Sequence, residues 1–363
     1  MTRICLAIPS LQSGGMERVM SVLANAFAKK EGVEVHLLMF GKDCFVFYQI
    51  SERIVIHKPS FQFNNKIRTW STIRTIFFIR KEIRKLNPDT VLSFGDYWNS
   101  LVLLSCYGLK YPIYVSDRGR PCVDANKVQH YLRQYLYPRA AGVIAQTKKA
   151  QKFYQTIYHN SNMTVIGNPI NLIDEHSTHR EKIILSVGRL QNTKHFDRLI
   201  RIFANTVHDG WRLIIVGGDT MKQNNSQSLN QLIKDLQLQD CVELAGNQSN
   251  VNVFYQKSSI FAFTSSSEGF PNVIGEAMAA GLPVVSYDCV AGPSDMIEDG
   301  VNGYLVPVFD DELFKQRLSG LMNDANKRAS MGEAAQQSIR KFESGIIADR
   351  FYEFITQRKL KHE

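Results

Sequence analysis

The chain repeats one pattern, a short apolar segment followed by an amphipathic one, and this pattern limits the fold more than any other feature. TRICLAI is followed by a Gly-Gly loop, by a helical pattern in MERVMSVLANAFAKK, and by a second apolar segment, VEVHLLMF. Apolar segments of strand length separated by helices are typical of βαβ units whose parallel strands are buried on both faces. The pattern continues in DTVLSFG, PIYVSDRG and AGVIAQT.

A second series of the same kind begins after residue 182. Its apolar segments are IILSVGR, WRLIIVGG, CVELAG, IFAFTS and PVVSYD. At 363 residues the chain is longer than one hydrophobic core usually supports. We therefore predict an α/β protein with two doubly wound, Rossmann-like parallel-sheet domains, joined near residues 168–182.

Composition excludes several classes of protein. Six cysteines lie far apart with no Cys-x-x-Cys pair, which argues against a disulfide framework or a structural metal. No 18-residue apolar segment is present, and the apolar part of the first 15 residues is too short for a signal peptide. We expect a cytoplasmic protein without a membrane-spanning helix.

The net charge of +9 is unevenly distributed. Residues 1–170 contain 23 Lys and Arg against 10 Asp and Glu, a charge of +13, and the remainder contains 20 against 24, a charge of −4. The first half is therefore expected to bind something anionic: nucleic acid, an acidic membrane surface or a phosphorylated substrate.

One stretch, residues 265–288, predicts a ligand at the carboxyl ends of the second series of strands, where doubly wound sheets bind their ligands. Pro271 fits the first position of a helix that stops at Gly281, and the amides of 272–274 at its start favour an anion. Glu268 before the helix and Glu276 within it are suited to hydroxyl groups. Two groups that bind hydroxyls on either side of a group that binds an anion predict a ligand with a polyol, a phosphate and a second polyol. A nucleotide sugar has this composition.

This stretch also carries a family resemblance. EGFPNVIGEAMAAGLPVV with its Glu-x7-Glu spacing, followed by GPSDMIEDGVNGYLVP, resembles the retaining glycosyltransferases of family 4. PSLQSGGMERVMSVLANAF and SVGRLQNTKHFDRLI extend the resemblance over nearly the whole chain. It implies the GT-B fold, two Rossmann-like domains facing across a cleft: an acceptor domain over 1–168, a nucleotide-sugar domain over 169–345, and a C-terminal helix over 346–363 that packs back on the first.

The resemblance also implies roles for residues. Arg189 and Lys194 would bind the donor diphosphate, where two cations stabilise the charge of the leaving group. Glu268 would contact the donor sugar as a catalytic residue, and Glu276 the ribose. The backbone of five successive residues would complete the pocket, namely Gly269, Phe270, Pro271, Asn272 and Val273.

The Gly14-Gly15 turn is implied to cover the diphosphate and the attacked carbon, an approach that only backbone without a side chain allows. A plain strand-to-helix turn is the alternative. The surrounding SGGMER lacks Gly-x-Gly-x-x-Gly, and no acidic residue ends VEVHLLMF, so a dehydrogenase is disfavoured.

VSDRGRP occupies the position where many members of the family carry an acidic-His or acidic-Arg pair facing the sugar. Asp117 is therefore expected to orient the acceptor or donor sugar as a second catalytic residue, or else to cap a loop. Arg118 and Arg120 are candidates for contact with acceptor phosphate. No histidine stands there, so a catalytic histidine is not carried over.

The expected reaction needs neither a metal nor a cofactor. No protein nucleophile is evident, and we expect front-face displacement in which the departing phosphate accepts the proton of the acceptor hydroxyl. No Asp-x-Asp follows a strand, and His176 and His179 in the connector are interpreted as solvated.

The segment NNKIRTWSTIRTIFFIRKEIRKLNP predicts a basic amphipathic helix. It would attach the protein peripherally to the anionic inner face of the cell membrane. By resemblance Lys66, Arg68 and Arg74 would contact the diphosphate of a polyprenyl-linked saccharide. An ordinary helix with a solvated charged face is the alternative.

The combined hypothesis is transfer of a hexose or N-acetylhexosamine from a nucleotide sugar to a lipid-linked or other saccharide acceptor in bacterial surface glycan assembly. The frequency of UDP donors in the family favours UDP. A GT-B sugar-nucleotide epimerase or hydrolase is a second hypothesis. A nucleic-acid-binding protein is a third, disfavoured because it leaves Arg189, Lys194 and both glutamates without a task, so no nucleic-acid partner is expected.

Overall fold

The computed structural model describes residues 1–121, 127–173, 180–207, 209–220 and 224–357. The chain divides into two compact units. Unit 1 comprises Met1–Pro169 and the chain from Ser344 onward, and unit 2 comprises Ile170–Glu343.

Unit 1 is built on a seven-stranded parallel sheet. Its strands are β1 Thr2–Ile8, β2 Val33–Met39, β3 Val55–His57, β4 Thr90–Phe94, β5 Ile113–Ser116, β6 Gly142–Ala145 and β7 Met163–Val165. They lie in the order β3-β2-β1-β4-β5-β6-β7. The helices between them are α1 Gly15–Ala28, α2 Arg68–Leu86, α3 Asp96–Ser105, α4 Lys127–Leu136 and α5 Lys148–Tyr158.

Unit 2 is built on a six-stranded parallel sheet. Its strands are β8 Ile183–Val187, β9 Arg212–Val216, β10 Val242–Gly246, β11 Ile260–Phe263, β12 Val284–Tyr287 and β13 Gly303–Val306, in the order β10-β9-β8-β11-β12-β13. The helices are α6 Phe196–Ala204, α7 Asn225–Asp235, α8 Asn252–Lys257, α9 Asn272–Ala279, α10 Pro293–Met296, α11 Asp311–Asn323 and α12 Ala325–Ile339. A last helix, α13 Ser344–Thr356, packs on α1 and β4 of unit 1.

Both sheets form for the reason that the sequence indicates, because their central strands are apolar along their whole length. Ile4–Ile8 of β1 is fully buried, and β1 pairs in parallel register with β2 on one side and β4 on the other. In unit 2, β8 pairs in the same way with β9 and β11. The strand order therefore reverses between β1 and β4 in unit 1 and between β8 and β11 in unit 2. At such a switch point the loops at the carboxyl ends of the strands diverge and leave a crevice.

Every strand that the apolar segments predict is present and parallel. Three further strands, β3, β7 and β13, are missing from the prediction. They lie at the edges of the sheets and are three or four residues long. Val55 and Ile56 of β3 are exposed, so this strand lacks the buried apolar run that marks the predicted strands.

Candidate functional site

In unit 2 the loops that follow β8 and β11 meet at the switch point. Lys194 ends a short 3-10 turn after β8, and Glu268 lies in the loop after β11. Lys194 Nζ is 2.5 Å from Glu268 Oε1, and only 12% and 16% of the two side chains are exposed. The two residues, 74 positions apart, form a largely buried ion pair at the end of the sheet where a ligand is expected.

Small hydroxyl side chains hold these two loops together. Thr264 Oγ1 donates a hydrogen bond to the carbonyl oxygen of Lys194 at 2.8 Å, and Ser265 Oγ to that of Thr193 at 3.1 Å. The backbone amide of Ser266 also donates to the Thr193 carbonyl, at 2.9 Å. The polar run that precedes Glu268 therefore fixes the loop that carries Lys194.

Glu276 lies on the second turn of α9 and is half-buried. The hydroxyl of Tyr255 donates to Glu276 Oε2 at 3.1 Å. Tyr255 lies on α8 and is 1% exposed, so its hydroxyl can orient the carboxylate without itself lying at the surface. The sequence did not single out Tyr255, because a buried aromatic residue on a helix is typical of a core position.

The start of α9 differs from the expectation in two respects. The helix begins at Asn272, and Pro271 is the residue before it. The amides that were expected to face an anion are partly used by the chain, because Asn272 N–H donates to the Phe270 carbonyl and Ile274 N–H to the Pro271 carbonyl, each at 3.0 Å. The Phe270 ring is buried against Phe342, so only its backbone is available to a ligand.

The segment GPSD, residues 292–295, packs against the start of α9. Gly292 has a φ of +107°, and a Cβ atom on it would lie 2.1 Å from Pro271 Cδ. Glycine is required here both by the backbone conformation and by the contact. Cys289, close by, is buried, and burial with the nearby Glu268 carboxylate raises the pKa of its thiol to about 12, so it is not a nucleophile at neutral pH.

Arg189 lies directly after Gly188 at the end of β8, and its side chain is exposed. It makes no hydrogen bond or ion pair with another described residue, unlike Lys194. The neighbouring Gly217 approaches so closely that a Cβ atom on it would lie 1.9 Å from the Gly188 carbonyl oxygen. The loops after β8 and β9 are thus in backbone contact, and Arg189 projects from them.

In unit 1 the Gly14-Gly15 turn leads from β1 into α1. Gly14 has a φ of −165°, which any residue adopts, but a Cβ atom on it would lie 2.3 Å from Glu17 Oε2. Tyr48 holds this turn: its hydroxyl accepts from Gly14 N–H at 3.1 Å and donates to the Gly14 carbonyl at 2.8 Å. Tyr48 lies in no recognisable motif, so nothing in the sequence marks it as a partner of this turn.

Asp117 is placed differently from the expectation. It is 1% exposed at the end of β5, and its oxygens accept from Tyr137 Oη at 2.5 Å, from Asn99 Nδ2 at 3.0 Å and from Arg133 Nη2. The Asp117 carboxylate raises the pKa of Arg133 against the opposing effect of burial. With both oxygens occupied by the protein, Asp117 fits a buried structural role better than contact with a sugar.

Arg118 also points into the protein. Its guanidinium lies 3.9 Å from the centroid of the Phe94 ring, and Nη1 donates to Asn168 Oδ1 at 2.6 Å. Burial lowers the pKa of Arg118 to about 9, which leaves it charged at neutral pH. Arg120 is exposed. Of the two arginines expected to meet a phosphate, only Arg120 projects outward.

The missed acidic residue of this region is Asp96, the first residue of α3 after β4. Burial and the nearby Asp117 carboxylate raise the pKa of Asp96 to about 6. A carboxyl group with a raised pKa at the end of a strand is a candidate for function. Its sequence context, SFGDYW, gives no sign of this, because an acidic residue in the first turn of a helix is ordinary.

The α2 helix buries one set of residues and leaves large apolar side chains exposed as well. Ser71, Thr75, Ile79, Ile83 and Leu86 are buried. Large apolar side chains of the same segment are exposed, Trp70 by 57% and Phe77 by 67%, together with Ile73 and with Ile67 just before the helix. Lys66, Arg68 and Arg74 are exposed beside them, with Arg74 lying 4.3 Å from the centroid of the Phe61 ring.

The described part of the chain holds no group of three or more His, Cys, Asp or Glu residues that could bind a metal ion. His176 and His179 lie outside the described residues. Among the described helices, none is long and apolar enough to cross a bilayer.

Sequence comparisons decide the family. Residues 13–173 match the family described as Glycosyltransferase Family 4, and residues 171–338 match the one described as Glycosyl transferases group 1. The chain is a glycosyltransferase with a family 4 domain followed by a group 1 domain. The hexosyltransferase activity predicted from the Glu-x7-Glu segment is thereby confirmed.

Similar curated proteins span the whole length of this glycosyltransferase. It is 25% identical to the GalNAc-alpha-(1->4)-GalNAc-alpha-(1->3)-diNAcBac-PP-undecaprenol alpha-1,4-N-acetyl-D-galactosaminyltransferase of Campylobacter jejuni, with 99% of both chains covered. It is 26% identical to the amylovoran biosynthesis glycosyltransferase AmsD of Erwinia amylovora, with 94% of this chain and 96% of that protein covered.

Solved structures support the predicted fold. The lipopolysaccharide outer core galactosyltransferase WaaB aligns with a TM-score of 0.79 at 20% identity, covering 98% of this chain and 99% of that one. Anabaena HepE in complex with UDP aligns with a TM-score of 0.80 at 18% identity, covering 99% and 100%. The glycosyltransferase therefore has the GT-B fold, with one Rossmann-like parallel sheet in each unit.

Proposed function

We propose that this glycosyltransferase moves a hexose or N-acetylhexosamine from a UDP-sugar to a polyprenyl-diphosphate-linked saccharide, with retention of anomeric configuration, at the inner face of the bacterial membrane. The observation that carries the donor half of the proposal is the Lys194–Glu268 pair at the switch point of unit 2. A lysine and a carboxylate held side by side can bind a diphosphate and a sugar hydroxyl that lie side by side in a nucleotide sugar.

The chemistry of Lys194 supports binding of the diphosphate. An ammonium group has three donors, and one of them meets Glu268, so two remain for phosphate oxygens. Arg189, exposed and without a partner among the described residues, adds a second cation to the same end of β8. Fixed cations at a leaving group that gains negative charge are worth about 100- to 1000-fold in rate per group.

The two glutamates have different surroundings and support different tasks. One oxygen of Glu268 is bound by Lys194, so its other oxygen can accept a hydrogen bond from a hydroxyl of the sugar. Glu276, oriented by Tyr255, lies on the second turn of α9 and is assigned to the ribose. We propose a front-face displacement in which a diphosphate oxygen accepts the proton of the acceptor hydroxyl, without a metal ion or cofactor.

The acceptor half of the proposal rests on unit 1 and on the relatives. The name of the Campylobacter relative contains a saccharide linked to undecaprenol through a diphosphate. In this chain a surface at the start of α2 combines cations with large apolar side chains. We define this basic apolar surface of α2 as Lys66 and Ile67 just before the helix and Arg68, Trp70, Ile73, Arg74 and Phe77 on it. This combination suits an anionic bilayer surface, where each cation contributes about 1 kcal/mol.

Its exposed apolar residues distinguish the basic apolar surface of α2 from an ordinary surface helix. A helix that only covers a sheet buries its apolar side chains and solvates its charges. Here Phe77 is exposed in a depression lined by four basic residues, Arg80, Lys81, Arg84 and Lys85. Aromatic side chains among cations are typical of membrane-interface segments.

Thermal stabilisation by a panel of nucleotide sugars tests the donor. A ligand at 100 times its dissociation constant adds about 2.7 kcal/mol to the free energy of unfolding. We expect UDP and one UDP-sugar to stabilise the protein, and we expect Lys194→Ala to remove most of that stabilisation. Stabilisation by GDP-sugars or ADP-sugars alone would overturn the UDP assignment, and no response to any nucleotide sugar would overturn the donor site.

Turnover then separates transfer from the competing activities. The stabilising UDP-sugar is incubated with a polyprenyl-diphosphate-linked saccharide and, in parallel, without acceptor. We expect sugar transfer, with the anomeric configuration of the product determined by NMR, and little UDP release in water. Epimerised or hydrolysed sugar formed equally without acceptor would favour the epimerase or hydrolase hypothesis.

Liposome binding tests the membrane surface. We expect the double variant Trp70→Ser, Phe77→Ser to lose most of its co-sedimentation with vesicles containing phosphatidylglycerol, and high salt to weaken the wild type. Val207→Ser, which alters an 83% exposed residue of unit 2, is the matched control and should bind as the wild type does. Equal binding by the double variant would refute docking through α2.

A further inference from the structure

The switch point of unit 1, between β1 and β4, holds a crevice of its own. It has a volume of about 340 Å³. Met16 at the start of α1 forms one side, Gly95 and Asp96 at the end of β4 another, and Arg118 after β5 a third. Doubly wound sheets bind ligands at this position, so the crevice occupies the place in unit 1 that the Lys194–Glu268 pair occupies in unit 2.

Asp96 supplies a carboxylate to this crevice, and the neighbouring backbone supplies a hydrogen-bond donor to that carboxylate. The amide of Arg118 donates to Asp96 Oδ1 at 3.3 Å. A Cβ atom on Gly119 would lie 2.7 Å from Asp96 Oδ2, so the missing side chain at 119 keeps the carboxylate accessible.

No ion pair with a described residue neutralises Asp96. The nearby guanidinium of Arg133 forms an ion pair with Asp117, and Nη1 of Arg118 donates a hydrogen bond to Asn168. Asp117 adds a like charge, and with burial it raises the pKa of Asp96 to about 6. At neutral pH the crevice thus contains an ionised carboxylate. Burying this charge costs more free energy than burying an uncharged side chain would.

The wall beside Asp96 is aromatic. Tyr97 and Trp98 follow it on α3 and pack edge-to-face, with ring centroids 4.9 Å apart. Tyr97 is 38% exposed, and both rings line the crevice. An aromatic ring beside a carboxylate that has no ion pair with a described residue matches a sugar, which presents C–H groups on its faces and hydroxyl groups on its edges.

We propose that Asp96 accepts a hydrogen bond from a hydroxyl of the acceptor saccharide and thereby holds that saccharide in the crevice of unit 1. The inference rests on the proposed function and adds to it the residue that selects the acceptor. Asp96 acts here in its ionised form as a hydrogen-bond acceptor, and it takes no proton from the acceptor in the transfer step.

The test compares Asp96→Asn with the wild type in steady-state transfer to the polyprenyl-diphosphate-linked saccharide. Hydrogen bonds to charged groups predict a rise of about 10- to 100-fold in the KM for the acceptor. The KM for the UDP-sugar and the affinity for UDP should stay within twofold, because the substitution lies in the other unit. Asp43→Asn, an exposed acidic residue of unit 1, is the control.

The pH dependence adds a readout that a purely structural role would not give. In the wild type the acceptor KM should rise as the pH falls through about 6, where Asp96 becomes protonated. In Asp96→Asn this rise should be absent. An acceptor KM within twofold of the wild type, or a rise near pH 6 that survives the substitution, would overturn the assignment.

Stability measurements distinguish the loss of an acceptor contact from the loss of folded protein. Because the folded pKa of Asp96 is raised, the ionised group opposes folding above about pH 6, so Asp96→Asn should unfold at the same or a higher temperature than the wild type at pH 8. If Asp96→Asn melts lower and all kinetic constants fall together, the role of Asp96 is structural and the proposal fails. If the wild type transfers no sugar, the proposed function fails first.

Discussion

The switch points of the two units have the same topology but differ in how their carboxylates are paired. In unit 2 a cation and a carboxylate from two loops neutralise each other at 2.5 Å. In unit 1 Asp96 lies in the corresponding place without a cationic partner among the described residues, and its pKa is raised to about 6. One fold, used twice in a chain, therefore holds a paired carboxylate at one switch point and a carboxylate without an ion pair at the other.

A second contrast lies in how each unit uses its buried acids. Asp117 accepts side-chain hydrogen bonds from Tyr137 and Asn99 and forms an ion pair with Arg133. Such a carboxylate organises the protein around it. Asp96 has no ion pair with a described residue. Of the two neighbouring acids of unit 1, the satisfied one supports the fold, and we assign function to the other.

The largest effect is expected for Lys194→Ala. Loss of the cation should lower the rate of sugar transfer by about 100- to 1000-fold, because the charge of the leaving diphosphate loses a fixed partner. The measurement is kcat with the UDP-sugar. Lys182→Ala, which removes an exposed lysine paired with Asp209 at 3.1 Å, is the control in the same unit. A loss below fivefold would mean that the ion pair of unit 2 is only structural.

Next in size is the effect of Asp117→Ala on stability. Removing one partner of a buried pair leaves Arg133 uncompensated, which should lower the free energy of unfolding by about 3–5 kcal/mol. Denaturant titration measures this change. Asp209→Ala, at an exposed pair, should cost about 0–1 kcal/mol. An Asp117→Ala protein with wild-type stability and no activity would reverse our division between the two acids of unit 1.

Tyr255→Phe should have a smaller effect, confined to unit 2. Loss of the hydrogen bond to Glu276 should weaken UDP binding by about fivefold to tenfold, because a net hydrogen bond is worth about 1 kcal/mol. Calorimetric titration with UDP measures the affinity. Tyr304→Phe is the control, since that buried tyrosine makes no hydrogen bond through its hydroxyl to another described residue. Unchanged affinity would argue against Glu276 as the ribose ligand.

The smallest effect is expected for Tyr48→Phe in unit 1. Without its hydroxyl the Gly14-Gly15 turn loses two hydrogen bonds, and kcat should fall about fivefold while the affinity for UDP stays within twofold. Tyr131→Phe, at an exposed position of α4, is the control. A change in UDP affinity with an unchanged kcat would place the role of Tyr48 outside the transfer step.

Much of the fold could be predicted because parallel strands buried on both faces are recognisable as apolar segments. The short edge strands β3 and β7 could not, because an edge strand needs no buried apolar run, whereas β13 is apolar and buried and was missed all the same. In the candidate site, Glu268 and Lys194 followed from the resemblance, and the structure brings them together. Tyr48, Tyr255 and Asp96 were missed, because each acts through a contact with a residue distant in sequence or through its burial, and single-sequence patterns contain neither.

The sequence by itself determined the two series of βα units, the position of Glu268 before a helix, Glu276 within it, and the excess of positive charge in the first half. These are local properties, set by the order of apolar, small and charged residues along the chain. Only the tertiary structure decided which acid of unit 1 is satisfied and which is not, and which face of α2 is left exposed. Both depend on what packs against a side chain, and burial changes the free energy of a charge or an apolar surface far more than its neighbours in sequence do.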